Sequence, residues 1–148
     1  MEKSIENIER EIVEEFSIFP DWTEKYQYLI ELGHDLKDFP EDKRTDEYKV
    51  KGCQSSVWVI AEKNNGSVIF KADSDSTIVK GLIALLLKVL SNRNPDEIIN
   101  ASLDFIDRIG LRQHLAPTRT NGLAAMVKQL KLYALAFKAK DAQRKQQK

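Results

Sequence analysis

Apolar residues near the start of the chain repeat at the spacing of an amphipathic helix. One face of this stretch holds Ile5, Ile8, Ile12, Val13 and Phe16. Because three- and four-residue steps return to the same side of a helix, the pattern predicts a first helix of roughly a dozen residues. The Phe-Pro pair that follows is expected to end it.

A second helix is predicted directly after this break. Asp21 and Glu24 have the spacing of a capping box, in which the aspartate accepts a free amide and the glutamate reaches back. The apolar face behind the cap holds Trp22, Tyr26, Leu29, Ile30 and Gly33. We expect the two helices to pack as an antiparallel pair, followed by a long polar connection over residues 37–49.

The middle of the chain has the pattern of a β-hairpin. Residues 57–61 and 68–70 are β-branched and aromatic, and Asn64, Asn65 and Gly66 lie between them. Asn and Gly tolerate the positive φ angles of tight hairpin turns. The sequence therefore predicts a small antiparallel hairpin over residues 55–72.

Helices are predicted for most of the remainder. Residues 78–90 are apolar on nearly every side, which indicates a buried central helix, with Asp73 and Asp75 as candidate caps. Shorter helical segments are expected after Asn94 and over residues 103–109. An irregular segment over residues 111–120 precedes a last helix from about Asn121, and the polar residues 138–148 are expected to fray. These elements predict one α+β domain spanning residues 1–148, with the sheet packed on helices.

Composition excludes several classes of protein. Positive and negative side chains number 23 each, so no net field favours nucleic acid. No apolar run is long enough to cross a membrane, and the N-terminal residues lack a signal-peptide pattern. The single cysteine cannot form an internal disulfide, which fits a reducing compartment and predicts a cytoplasmic protein.

That cysteine, Cys53, has unusual neighbours for a packed thiol. Lys49, Lys51 and Gly52 precede it, and polar residues follow it. A buried cysteine usually behaves as a small apolar side chain, whereas a loop thiol near cations becomes an accessible thiolate. We therefore interpret Cys53 as a nucleophile at a loop tip, although the residues alone leave inert packing open.

Four stretches of the chain, taken together, resemble the SufE family of sulfur acceptors. The stretches are Trp22 to Tyr26 with Ile30 to Gly33, Gly52 to Trp58, Asp73 to Ala84, and Gln113 to Leu123. They occur in the family's order and cover the chain from about Trp22 to Met126. The resemblance implies an α+β fold like that of iron–sulfur scaffold proteins, and a role in iron–sulfur cluster assembly.

The resemblance also implies a specific activity. Members accept sulfur as a persulfide from a SufS-type cysteine desulfurase, stimulate that enzyme and pass the sulfur to a scaffold complex. By motif position, Cys53 matches the acceptor cysteine and Arg119 matches an arginine at the surface that faces the desulfurase. The pyridoxal phosphate belongs to the partner, so this chain is expected to bind no cofactor and no metal. A homodimer is compatible with these features.

The residues around Cys53 suit such a transfer. Lys49, Lys51 and Arg119 are candidate cations for favouring the thiolate. Gly52 gives the loop conformational freedom. Gln54, Ser55 and Ser56 are candidate hydrogen-bond donors to the sulfur, and Asp75 is a candidate support for the loop. We expect Cys53 to rest against apolar surface from Val57, Trp58 and the central helix, and to swing outward when a donor docks.

Three other functions compete with sulfur transfer. A cysteine hydrolase or transferase would pair Cys53 with His34 or His114 as a base. A metal or cluster scaffold would need several thiolates, which one cysteine cannot supply. In a helical adaptor, Cys53 would be incidental.

Overall fold

The computed structural model describes residues 3–36 and 38–146, with side chains described as far as residue 143. In chain order, the helices and strands are α1 (Ile5–Ile18), α2 (Trp22–His34), β1 (Val57–Asn64), β2 (Ser67–Ser74), α3 (Thr77–Leu90), α4 (Pro95–Asn100), α5 (Phe105–Arg108) and α6 (Pro117–Gln146). Short 3₁₀ turns occupy Glu41–Lys43, Asp46–Tyr48 and Arg112–His114. The predicted α+β class is confirmed.

The two strands form the predicted antiparallel hairpin. Their register runs from Val57 opposite Ser74 to Asn64 opposite Ser67. The turn residues Asn65 and Gly66 have φ angles of 51° and 85°, which is the left-handed conformation that a two-residue hairpin turn needs. The strands are longer than the apolar pattern predicts, because cross-strand bonds extend into the polar residues on both sides of the turn.

Helix α3 is the centre of the core, as its apolar sequence predicts. Residues 81–87 of this helix are all buried, and the helix packs against β2 and against α2. At the crossing with α2, a Cβ added to Gly81 would lie 2.2 Å from the Leu29 carbonyl oxygen. Two backbones approach this closely only where a side chain is missing.

Helices α1 and α2 contact each other, but they do not form the main helix pair that the sequence predicts. Helix α2 packs chiefly against α3, while its contact with α1 centres on Tyr28, whose ring meets those of Phe16 and Phe19 at 5.3 and 5.1 Å. Helix α1 spreads its buried face over α3 and α5 instead. The glycine pair Gly33 and Gly81 explains this preference, because it gives α2 a closer partner in α3 than α1 can offer.

Helix α6 is longer than the sequence predicts at both ends. It begins at Pro117 rather than near Asn121, and it continues to Gln146. Residues 147 and 148 lie outside the described part, and the fraying expected from residue 138 stays a prediction. Proline is favoured in the first turn of a helix. Ion pairs of Lys138 with Asp96 (2.7 Å) and of Asp141 with Lys63 tie the last turns to the body. No helix within the described residues is long and apolar enough to cross a membrane.

Candidate functional site

Cys53 lies on a short loop whose two ends are fixed. The buried residues Val50 and Val57 flank the loop, and the Val50 N–H donates to the Val57 carbonyl (2.8 Å). Lys49 also bridges to Trp58. These contacts place the base of the loop on the free side of β1, so the residues between them project from the sheet.

Asp75 pins the last residue of this loop. Its Oδ1 accepts the Ser56 N–H (3.0 Å), and its own N–H donates to the Ser56 carbonyl (3.2 Å). Ser74 Oγ donates to the same carbonyl (2.8 Å). The cap of α3 is instead Ser76, whose Oγ accepts the Val79 N–H. Of the two roles suggested for Asp75, the structure shows the loop contact, whereas the helix cap is Ser76.

The Cys53 side chain is half-buried against α6. Its Sγ donates to the Gly122 carbonyl (3.5 Å), and a Cβ on Gly122 would lie 3.5 Å from the sulfur. The sulfur faces a cavity of about 280 Å³, lined by Cys53, Gln54, Ser55, Val79, Ala116, Thr118, Arg119, Gly122 and Met126. The apolar wall thus comes from α3 and α6, whereas the sequence suggests Val57 and Trp58 beside α3.

The structure brings some of the predicted site residues to the sulfur and leaves others away from it. Gln54, Ser55 and Arg119 line the same cavity as Cys53. Gly52 has a φ of 95°, a conformation that favours glycine, so it supplies the turn that leads into the cysteine. Lys51 is exposed and is not part of the cavity wall.

Burial raises the pKa of the Cys53 thiol. Burial is the cause of this shift, and no charge of Lys49, Lys51 or Arg119 contributes to it. Lys49 lies 3.8 Å from Asp46 instead, and Arg119 is exposed at the rim of the cavity. An acid whose pKa is higher in the folded state than in the unfolded chain is held in its neutral form. The resting sulfur is accordingly a protonated thiol that donates a hydrogen bond.

Alkylation of Cys53 by iodoacetamide tests this protonation state. Because only the thiolate reacts, we expect the midpoint of the rate–pH profile to lie above that of the same chain unfolded in guanidinium, which should titrate near about 8.5. Mass spectrometry of the alkylated chain at timed intervals measures both profiles. A folded midpoint below the unfolded one would contradict a neutral resting thiol.

The two histidines do not meet the sulfur. The His114 ring stacks on Trp22 with centroids 4.0 Å apart, and its Nδ1 lies 2.8 Å from the Gly110 carbonyl. His34 is exposed at the end of α2. Neither residue lines the Cys53 cavity, so the geometry gives a cysteine hydrolase no histidine base.

The sequence analysis does not predict a charged cluster around Asp73, which lies next to the Ser74 and Asp75 contacts that hold the cysteine loop. Asp73 is buried and lies 3.0 Å from Arg44 Nε and 3.3 Å from Lys80 Nζ. It also accepts the Ser74 N–H (2.8 Å), next to the hydroxyl that holds the loop. Burial alone raises the pKa of Asp73, but the hydrogen bonds and the positive charge of Lys80 outweigh it and leave the pKa below its usual value.

Asp73→Asn is expected to lower the free energy of unfolding by about 2 kcal/mol at pH 7, because it leaves two cations without their shared carboxylate. The folded pKa is depressed, so the wild-type advantage is present above the unfolded pKa and disappears as pH falls through the folded value. Urea unfolding at pH 7 and at pH 3 measures both effects. A difference between the two proteins that grew on acidification would contradict this role.

The fold and the site together define an α+β protein that presents one loop thiol in a small cavity between two helices. Comparison with known proteins gives the family: the chain belongs to the SufE family, whose model, described as an Fe-S metabolism associated domain, matches residues 10–134. The chain is thus associated with iron–sulfur metabolism, and the family suggested by the four sequence motifs is confirmed.

Relatives and a solved structure extend this match. An uncharacterised SufE-like protein of Rhizobium meliloti (strain 1021) is 37% identical over 126 residues, covering 82% of this chain and 90% of the relative. One from Rhizobium etli is 40% identical over 128 residues, covering 82% and 85%. The solution structure of a hypothetical protein from Thermus thermophilus has a TM-score of 0.72 at 22% identity, over 87% of this chain and 94% of that one. It supports the fold alone.

Proposed function

We propose that this chain is a sulfur carrier. Cys53 accepts sulfur as a persulfide from a SufS-type cysteine desulfurase, the carrier stimulates that enzyme, and the sulfur passes to a scaffold complex that builds iron–sulfur clusters. The observation that carries the proposal is the position of the only thiol, on an anchored loop above a cavity with room beside the sulfur. The family match to iron–sulfur metabolism points in the same direction.

The transfer itself is a thiol exchange on a persulfide. The Cys53 thiolate attacks the outer sulfur of the donor's cysteine persulfide, a new S–S bond forms on Cys53, and the donor's S–S bond breaks. The donor cysteine leaves as a thiolate, and the proton that Cys53 gave up passes to solvent. Electrons balance without an added oxidant or reductant.

The resting contacts suit storage rather than attack. The neutral thiol bonded to the Gly122 carbonyl is a poor nucleophile, because the thiolate is the reactive form. Docking must therefore free the sulfur from α6 and expose it to a more polar setting. The turn at Gly52 and the anchor at Ser56 confine that motion to the few residues around Cys53.

The cavity also suits the product. A persulfide adds one sulfur atom, and a space of about 280 Å³ holds it without repacking the core. Arg119 at the rim has no ion-pair partner among the described side chains, so its guanidinium is available to a persulfide anion or to an acidic group of the donor. Val79 and Met126 are buried and give this space an apolar inner wall.

The decisive experiment mixes the protein with a SufS-type desulfurase of its own host and L-cysteine. Intact-mass spectrometry should find one or more added sulfur atoms, and fragmentation should place them on Cys53. The same mixture should release alanine faster than the desulfurase alone. If neither the adduct nor the stimulation occurs with any desulfurase of the host, the sulfur-carrier proposal fails.

A further inference from the structure

The outer edge of β2 is covered near the hairpin turn. Val68 donates its N–H to the Arg93 carbonyl (2.7 Å) and accepts the Asn92 N–H (2.8 Å). The Phe70 N–H donates to Ser91 Oγ (2.9 Å). Because the direction of backbone polar groups alternates along a strand, these bonds establish that even-numbered residues of β2 point theirs away from β1.

Further along the strand, this edge is open. Ala72 is the next residue whose N–H and C=O point outward, and within the described residues neither group has a hydrogen-bond partner. The Phe70 carbonyl is in the same position. Both residues are buried, where main-chain groups are almost always paired. A carbonyl, an N–H and a second carbonyl in strand geometry form the pattern that an added strand satisfies.

A groove of about 670 Å³ lies along this open edge. Leu32 and Leu36 of the α2 region form one apolar wall, and Ala84 and Leu87 of α3 form part of the other. None of the residues that line this groove also lines the Cys53 cavity. A concave apolar surface with a few convergent polar groups is typical of a binding site.

We propose that the open edge of β2 binds an extended peptide segment of a partner protein as an added antiparallel strand. The partner residue opposite Ala72 would point to the same face as the Ala72 side chain, toward the groove, and so would the residue two positions away. Both should be apolar. This site goes beyond sulfur transfer and does not depend on it.

The charge of Lys71 predicts which type of side chain the partner has between these two apolar residues. It would lie on the opposite face, on the side of Lys71, because side chains alternate along a strand. Lys71 has no ion-pair partner among the described side chains, whereas the neighbouring Lys88 lies 3.5 Å from Glu15. An acidic side chain complements the charge of Lys71. The expected partner segment is therefore an apolar–acidic–apolar strand.

A capped peptide, Thr-Val-Glu-Val-Thr, is a direct probe of this site. Added to the ¹⁵N-labelled full chain, it should shift the Ala72 amide resonance downfield and slow its hydrogen exchange by about tenfold at saturation. Lys71→Glu should weaken binding of this peptide about fivefold and favour the version with Lys in place of Glu. The matched variant Lys128→Glu, on the exposed surface of α6, should change neither.

Three results would overturn the proposal. One is an unchanged Ala72 amide at millimolar peptide. The second is equal binding of a peptide N-methylated at both valines, because that version lacks the main-chain donors for Ala72 and Phe70. The third is a shift of the Ala72 amide with protein concentration alone, which would make a second copy of this chain the occupant. Sulfur loading of Cys53, measured separately, should be unaffected in Lys71→Glu.

Discussion

Cys53→Ser is expected to abolish sulfur acceptance while leaving the fold intact. A serine hydroxyl is not ionised near neutral pH and does not form a stable bond to a transferred sulfur, so no adduct should appear by intact mass. Alanine release by the desulfurase should fall to its rate without the carrier. The oxygen is smaller than sulfur and the site is half-buried, so the unfolding midpoint in urea should move little.

A matched variant tests whether sulfur acceptance needs the thiol at position 53 or only one exposed thiol per chain. Ser102→Cys in the Cys53→Ser background restores one thiol per chain, at an exposed position beside Glu9 and Asn100 and outside the Cys53 cavity. This double variant should remain without sulfur under conditions that load the wild type. Loading of the double variant to the wild-type level would show that any exposed thiol suffices, and the arrangement around Cys53 would lose its proposed role.

The features that the sequence predicts well are local ones. The hairpin follows from two β-branched runs around Asn65 and Gly66, and the buried helix α3 follows from an apolar surface on all sides. The loop position of Cys53 follows from its polar neighbours. Each of these depends on residues close together in the chain, where spacing alone determines the outcome.

The features that it does not predict depend on distant residues. Cys53 meets Gly122 across 69 positions, and Arg44 meets Asp73 across 29. No periodicity signals such contacts before the fold is known. The motif around Cys53 suggests a thiolate because Lys49 and Lys51 are close to it in sequence, but proximity along a turn does not place their charges at the sulfur. Burial raises the pKa of the Cys53 thiol instead.

A contact between Tyr133 and β1 also depends on residues that are distant in the chain. Its hydroxyl donates to the Val59 carbonyl (3.0 Å), which covers part of the edge of β1 that lies beyond the base of the cysteine loop. Helix α6 thus contributes both the Tyr133 hydroxyl that covers part of this edge of β1 and the Gly122 carbonyl that accepts a hydrogen bond from the Cys53 thiol. A motion of α6 relative to the sheet would alter both contacts.

Gly81→Ala is expected to destabilise the protein by about 3 kcal/mol. The added methyl would lie 2.2 Å from the Leu29 carbonyl oxygen and 2.7 Å from its carbon, so the α2 and α3 backbones must separate. Overpacking of this kind commonly costs about 1–3 kcal/mol, and more when backbone must move. The cost should exceed the gain in helix propensity of about 1 kcal/mol for replacing glycine with alanine. Urea unfolding followed by circular dichroism measures the net change.

Gly122→Ala is the matched control for this prediction. It adds the same methyl inside another helix, but the nearest atom to that methyl is the Cys53 sulfur at 3.5 Å, an ordinary contact distance. The propensity gain should therefore dominate, and the variant should be as stable as the wild type or up to about 1 kcal/mol more stable. If both variants shifted stability equally, close approach of α2 and α3 at Gly81 would not be what determines their packing.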